Sequence, residues 1–185
     1  MAEDDRDVIE ILTHDHREVE DMFGKLTAVT DPRERRQIAD QVTIELVRHS
    51  VAEEQYLYPA VREHVPGGDA IADQELSGHA EVEHLLKGLE QADPDSVDFA
   101  ALTGQLIRTV NAHVQDEEHA LFPALAGHAS PADLRRLGAQ VQAAKVRAPT
   151  RPHPSAPDRP PLNKLLAPGA GLVDRIRDHL SGRGQ

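Results

Sequence analysis

Two stretches of this sequence carry the same chemistry: HSVAEEQYLYPAVREH, from His49 to His64, and HVQDEEHALFPALAGH, from His113 to His128. Aligned without a gap, they share His, Glu-Glu, Leu, Pro-Ala and a closing His, with Tyr58 opposite Phe122. On a helix of about 3.6 residues per turn, His49 and Glu53 lie about 40° apart around the axis and about 6 Å apart along it. They share a face, as do His113 and Glu117. One imidazole and one carboxylate from each of two helices can supply two nitrogens and two bridging carboxylates to a pair of metal ions. A second motif also recurs: His16-Arg-Glu-Val-Glu20 and His79-Ala-Glu-Val-Glu83 are 63 residues apart, against 64 for His49 and His113. The candidate ligands are therefore His16, Glu20, His49, Glu53, His79, Glu83, His113 and Glu117. Burying four His and four Glu with no cation to balance them is costly, and a metal is the natural counter-charge.

The rest of the composition narrows the donor set. With no cysteine among 185 residues, disulfides, thiolate metal sites, iron–sulfur clusters and a Cys nucleophile are excluded. Any metal is held by His, Asp and Glu, a set that suits iron, manganese or zinc. A formal net charge of -12 argues against nonspecific binding to nucleic acid or to an anionic membrane, since both require a basic face. There is no apolar run of membrane-spanning length, and the acidic start MAEDDRD is unlike a signal peptide. A cytoplasmic protein is expected.

The elements that must position these residues are helices. Asp7 and Glu10 form a capping box ahead of Ile9, Leu12, Val19, Phe23 and Leu26 at helical spacing. Asp31-Pro32 starts a second helix that runs through His49, Glu53 and Leu57, with Pro59 expected to kink its last turns. The break Pro66-Gly67-Gly68-Asp69 leads to a third helix carrying His79 and Glu83, and Asp93-Pro94-Asp95-Ser96 leads to a fourth carrying His113 and Glu117. The fold expected is all-α: an antiparallel up-and-down four-helix bundle over residues 1–128, two similar hairpins related by a pseudo-twofold axis. Ser130-Pro131 caps a short fifth helix to about Lys145, within a segment 129–147. Residues 148–185 are expected to form a Pro-rich linker and a short amphipathic helix near Gly171 to Leu180. That helix either packs back onto the bundle or docks a partner or second subunit.

Taken together, Asp15-His16, His49-x-x-x-Glu53, His79 and His113-x-x-x-Glu117-Glu118 followed by Leu121-Phe122-Pro123 resemble the hemerythrin-like, or HHE cation-binding, family. The resemblance covers about residues 5–128. It implies a non-haem centre of two iron ions, oxo- or hydroxo-bridged, with Glu53 and Glu117 bridging and with O2, peroxide or nitric oxide as small ligands. A ferritin-like di-iron bundle would show Glu-x-x-His instead. The sequence also departs from the family's oxygen carriers, which have five His, two of them four apart on helix three; here the residue four after His79 is Glu83, and His84 is off by one. Their second bridging acid lies five after its His, where this chain has Glu118, so Glu117 and Glu118 compete for that role. With Glu20 and Glu83 as additional oxygen donors the site is richer in hard ligands, which favour ferric iron. Redox chemistry or sensing is then expected rather than reversible oxygen carriage. The activity of this kind would be peroxide decomposition; iron buffering and a purely structural helical interaction protein are the alternatives.

Tyr56 has Ala120 as its counterpart and so breaks the internal symmetry. Seven residues after His49, it is expected on the same face, either as a core aromatic or as a hydroxyl beside the metal. His14, His64, His119, His128, His153 and His179 are expected at the surface or outside the bundle, with His84 as an outer-shell candidate.

Overall fold

The computed structural model describes residues 6–181, apart from the side chains of residues 165, 175, 176, 180 and 181; the expectations for Ile176 and Leu180 lie outside it, as does the start of the acidic segment. The described residues form helices and connecting loops, and among them there is no strand. The chain is all-α.

Local chemistry sets the helix boundaries. Helix α1 (Val8–Ala28) starts from Asp7, whose side chain accepts from the Ile9 and Glu10 amides while Glu10 reaches back to the Asp7 amide. Helix α2 (Pro32–Ala52) has Asp31 as cap and Pro32 in its first turn, where a missing amide proton costs nothing. It continues through a π-helical turn, Glu53–Leu57, into α3 (Tyr58–His64). Gly67 takes the left-handed φ of 75° that ends this rod and starts α4 (Gly68–Gln91). Ser96 caps α5 (Val97–Asp116), and a second π turn, Glu117–Leu121, joins it to α6 (Phe122–His128).

The two π turns correspond under the internal repeat, and each is followed at its second residue by proline, Pro59 and Pro123. A proline has no amide proton to return to the preceding turn, and one extra residue per turn absorbs that misfit without breaking the rod. The proline expected to kink α2's last turns thus follows a widened turn.

Helix α1 packs along α2, α4 along α5, and α3 against α4. Two apolar clusters form the interior. One gathers Leu12, Leu57, Val61, Leu76, Leu121 and Leu125; the other gathers Val19, Phe23, Leu46, Val82, Leu86 and Leu106. On each rod the switch from one cluster to the other falls at the His and Glu positions. The polar residues therefore form a layer sandwiched between two dry halves of the core.

Beyond residue 128 the chain stays close to these rods. Helix α7 (Pro131–Arg147), capped by Ser130, packs on α1 and α2 and buries Leu134, Leu137, Val141 and Ala144 in the first cluster. A Cβ on Gly138 would stand 2.7 Å from the Arg6 carbonyl oxygen, so glycine is what lets α7 approach the start of α1. Helix α8 spans Leu162–Ser181, beginning nine residues before the expected start. Pro168, Gly169 and Gly171 all lie inside it, and Gly171 is where α8 crosses α7's end: a Cβ there would lie 2.5 Å from the Arg147 carbonyl oxygen. The Pro-rich segment is anchored, not free. Arg151 pairs with Glu90 at 2.7 Å and with Asp178 at 2.8 Å, and His153 meets the buried Asp174 at 2.9 Å.

Candidate metal centre

The layer brings together six of the eight expected residues: His16 from α1, His49 and Glu53 from the α2 rod, His79 from α4, and His113 and Glu117 from the α5 rod. Glu53 and Glu117 have no solvent exposure. His49 Nε2 lies 3.0 Å from Glu53 Oε1, and His79 Nε2 lies 3.3 Å from Glu53 Oε2. His16 Nε2 and His113 Nε2 lie 3.3 Å and 3.6 Å from Glu117 Oε2. All four imidazoles thus turn Nε2 toward the two carboxylates.

The outward nitrogens are each held by a further acid. His16 Nδ1 meets Glu118 at 2.8 Å, His49 Nδ1 meets Asp15 at 3.2 Å, His79 Nδ1 meets Glu54 at 3.0 Å and His113 Nδ1 meets Glu75 at 2.8 Å. A carboxylate that accepts from Nδ1–H fixes the ring's tautomer and leaves Nε2 as a lone-pair donor. Four such pairs around one layer prepare a cation site. The competition between Glu117 and Glu118 has a structural answer in placement: Glu117 faces the layer's centre, whereas Glu118 holds His16 from outside and pairs with Arg17.

Whether a cation fits can be judged from the buried atoms that lack partners. Nε2 of His16 and of His49, both oxygens of Glu53 and Oε2 of Glu117 are buried with no hydrogen bond. Unpaired buried polar atoms are costly, and here they converge instead of scattering. Among the described residues, His16, His49, Glu53 and Glu117 form one group able to hold a metal ion, with all ligand atoms within 4.8 Å of one another. Glu53, His79 and His113 form another, and Glu75, His113 and Glu117 a third. Because Glu75 already engages His113 Nδ1, it is better placed to orient that ring than to ligate beside it.

The charges behave as a cation site requires. Burial disfavours a charged imidazole at His49 and at His79, yet the carboxylates of Glu53 with Asp15, and of Glu53 with Glu54, outweigh it and push each up to about 10. Burial likewise opposes the Glu53 carboxylate, and His49 and His79 hold it well below the usual range. Protons on these rings balance the acids until a cation takes their place.

Tyr58, which the sequence reading did not single out, also enters the layer. Its buried hydroxyl lies 2.9 Å from His79 Nε2 and donates to Glu117 Oε1 at 3.1 Å. Burial, reinforced by Glu117 and Glu53, raises its pKa well above the usual value, so it stays a neutral phenol. Tyr56 takes no part: it faces Lys164 of α8, whose ammonium sits 4.1 Å from its ring centre. The π turn is responsible for this exchange. In an unbroken α-helix Tyr56 would fall about 20° from His49 and Tyr58 on the opposite side, and one extra residue in the turn rotates Tyr58 inward by about 100°.

The structure leaves two expected ligands elsewhere. Glu20 is exposed and pairs with Arg17 at 2.9 Å, while Glu83 accepts from the His153 amide at 3.2 Å. On α1 and α4 the turn after the His belongs to the second apolar cluster, where Val19 and Val82 face inward and push Glu20 and Glu83 to the flanks. His84 is exposed and His14 pairs with Glu18 at 3.4 Å. Of the acids on the outward nitrogens, each holds a ring on a different helix, so the packing of the helices was needed to reveal those pairings.

Comparison with known proteins agrees with this geometry. The family model described as the hemerythrin HHE cation binding domain matches residues 7–125. An uncharacterized hemerythrin-like protein of Schizosaccharomyces pombe is 26% identical over 165 residues, covering 89% of this chain and 81% of that protein. A DNA nickase of Nostoc is 30% identical over 148 residues, but this chain spans only 41% of it. The crystal structure of a hemerythrin HHE cation binding domain-containing protein from Mycobacterium kansasii, a homologue of Rv2633c, shares the fold, with a TM-score of 0.67 at 21% identity over 76% of this chain and 86% of that one. With the family domain matched over most of its length and a buried His and Glu layer fitted to cations, this chain belongs to the hemerythrin HHE cation-binding family.

Proposed function

We propose that the layer holds two iron ions and that the protein is a non-haem di-iron protein reacting with O2 or peroxide. The observation that carries this reading is the pair of ligand groups sharing Glu53, each with two inward Nε2 atoms: His16 with His49, and His79 with His113. Glu53 lies near Nε2 of His49 and of His79, and Glu117 near Nε2 of His16 and of His113, so each carboxylate would serve both ions. Two bound irons would supply two electrons, one each, to an oxidant, which neither His nor Glu can do.

The protein's own residues prepare that step. Asp15, Glu54, Glu75 and Glu118 keep the four rings turned inward, and an apolar cluster packs on each side of the layer. Tyr58, a protonated phenol at 3.1 Å from Glu117, is a neutral O–H donor directed into the layer. In this reading it serves as the hydroxyl beside the metal that was one of the two alternatives for Tyr56. The rods bearing these residues fit an antiparallel up-and-down four-helix bundle, which the pairings of α1 with α2 and of α4 with α5 support. The family and the net charge of -12 favour a small ligand over a nucleic acid. No helix is long and apolar enough to cross a membrane, and a cytoplasmic setting fits a chain without cysteine.

The test is peroxide consumption by the iron-loaded protein under steady-state conditions. Many turnovers per site, lost in Glu53→Ala, are expected of this reading. A single stoichiometric oxidation followed by inactivity would replace the enzyme with a sensor or iron store.

A further inference from the structure

The four outward acids are not equivalent. Asp15, which holds His49, also receives Lys145 Nζ from α7 at 2.6 Å on its other oxygen. Glu118, which holds His16, receives Arg17. On the opposite side, Glu54 and Glu75, which hold His79 and His113, have no Lys or Arg ion-pair partner among the described residues. Both basic partners therefore stand behind the same cation position, the one formed by His16 and His49.

Burial decides which partner counts more. The Lys145 side chain is 19% exposed and its acid 9%, whereas Arg17 is 52% exposed and is screened by water. A cation on the far side of an acid lowers the acid's pull on the ring N–H and adds repulsion toward a metal on the near side. Lys145 also lies outside residues 7–125, the segment that the family domain covers. It reaches the layer only because Leu137, Val141 and Ala144 seat α7 on α1 and α2.

We propose that Lys145 is a positioning residue that makes the two cation positions unequal, weakening the one formed by His16 and His49 relative to the one formed by His79 and His113. This rests on the two-cation reading, and the experiment separates the two claims. Metal-free protein is titrated anaerobically with Co2+, following its visible bands and a competing chelator. Wild-type protein is expected to take two Co2+ in two resolved steps. Lys145→Gln should tighten the weaker step on the order of tenfold, the scale of outer-shell effects, and leave the tighter step within about twofold. Lys145→Arg, which keeps the charge, should restore the wild-type separation. Arg17→Gln, which leaves α7 untouched, should tighten the same weaker step by a smaller factor.

Fewer than two Co2+ per wild-type chain would overturn the two-cation reading itself. Two bound Co2+ with indistinguishable steps, or a weaker step that Lys145→Gln leaves unchanged or loosens, would overturn the inference alone. Equal shifts in Lys145→Gln and Lys145→Arg would do the same, since they would trace to packing and not to charge.

Discussion

Each inward nitrogen of the layer depends on a named acid behind it, and Tyr58 is the residue whose contribution is easiest to isolate. Tyr58→Phe removes the hydroxyl and keeps the ring's packing, so bound metal should stay at the wild-type level while peroxide turnover falls on the order of 100-fold, the scale of a lost proton donor. Tyr56→Phe should leave both unchanged, because that ring is turned to Lys164. The measurement is steady-state peroxide consumption beside metal content for each variant; equal effects of the two substitutions would remove Tyr58 from the chemistry. At this scale the sequence was informative where repetition exposed it. His16, His49, His79 and His113 stood out because they recur with their neighbours, and the layer gathers all four. Tyr58 stayed hidden because a reading at constant 3.6 residues per turn places it opposite His49. Asp15, Glu54, Glu75 and Glu118 serve a ring that belongs to another helix, and no spacing along one helix reports that.

Among the elements, the caps Asp7, Asp31 and Ser130 were legible because each acts within three residues of itself. The π turns and the first half of α8, ahead of the helix expected from Gly171, were not, since both depend on what lies beside them. Helix α8 keeps Pro168 and two glycines inside it because Gly171 allows the close crossing over Arg147 and Ala148. Gly171→Ala should therefore cost about 1–3 kcal/mol through overpacking and raise amide exchange in α8 while α1 to α5 remain protected. Unchanged protection of α8 would contradict the crossing. The anchoring of the tail should also depend on pH. His153 is raised by its hydrogen bond to Asp174, with burial opposing, so its contribution is complete below the ordinary imidazole value of about 6.5 and lost as pH rises through the raised one. For Asp174 burial opposes the charge but His153 and the Thr150 and Arg151 amides prevail, lowering it, so its contribution disappears only as pH falls through that lowered value. Glu83, which accepts from the His153 amide, is raised by burial and also favours the acid side, while Lys87 works against the charged ring. Docking is then strongest in mildly acidic solution and weakens toward alkaline pH. Amide exchange over residues 148–181, corrected for intrinsic rates, should rise as pH is raised above about 6.5, and His153→Gln should flatten that dependence.

For the whole molecule, the polar layer between two apolar clusters ties stability to the cation. Four imidazoles and two shared carboxylates are seated in the core, where several of their inward atoms lack a hydrogen-bond partner. A metal present at about 1,000 times its Kd adds about 4 kcal/mol. For a chain of this size that is a loss of roughly 8–16 °C in Tm on chelation. The most direct test of the account is metal content per chain in protein purified without added metal or chelator, read together with the visible spectrum before and after peroxide. Close to two irons per chain are expected, with charge-transfer bands that change with peroxide. No metal, or a single weakly held zinc, with a melting temperature indifferent to chelator, would contradict it.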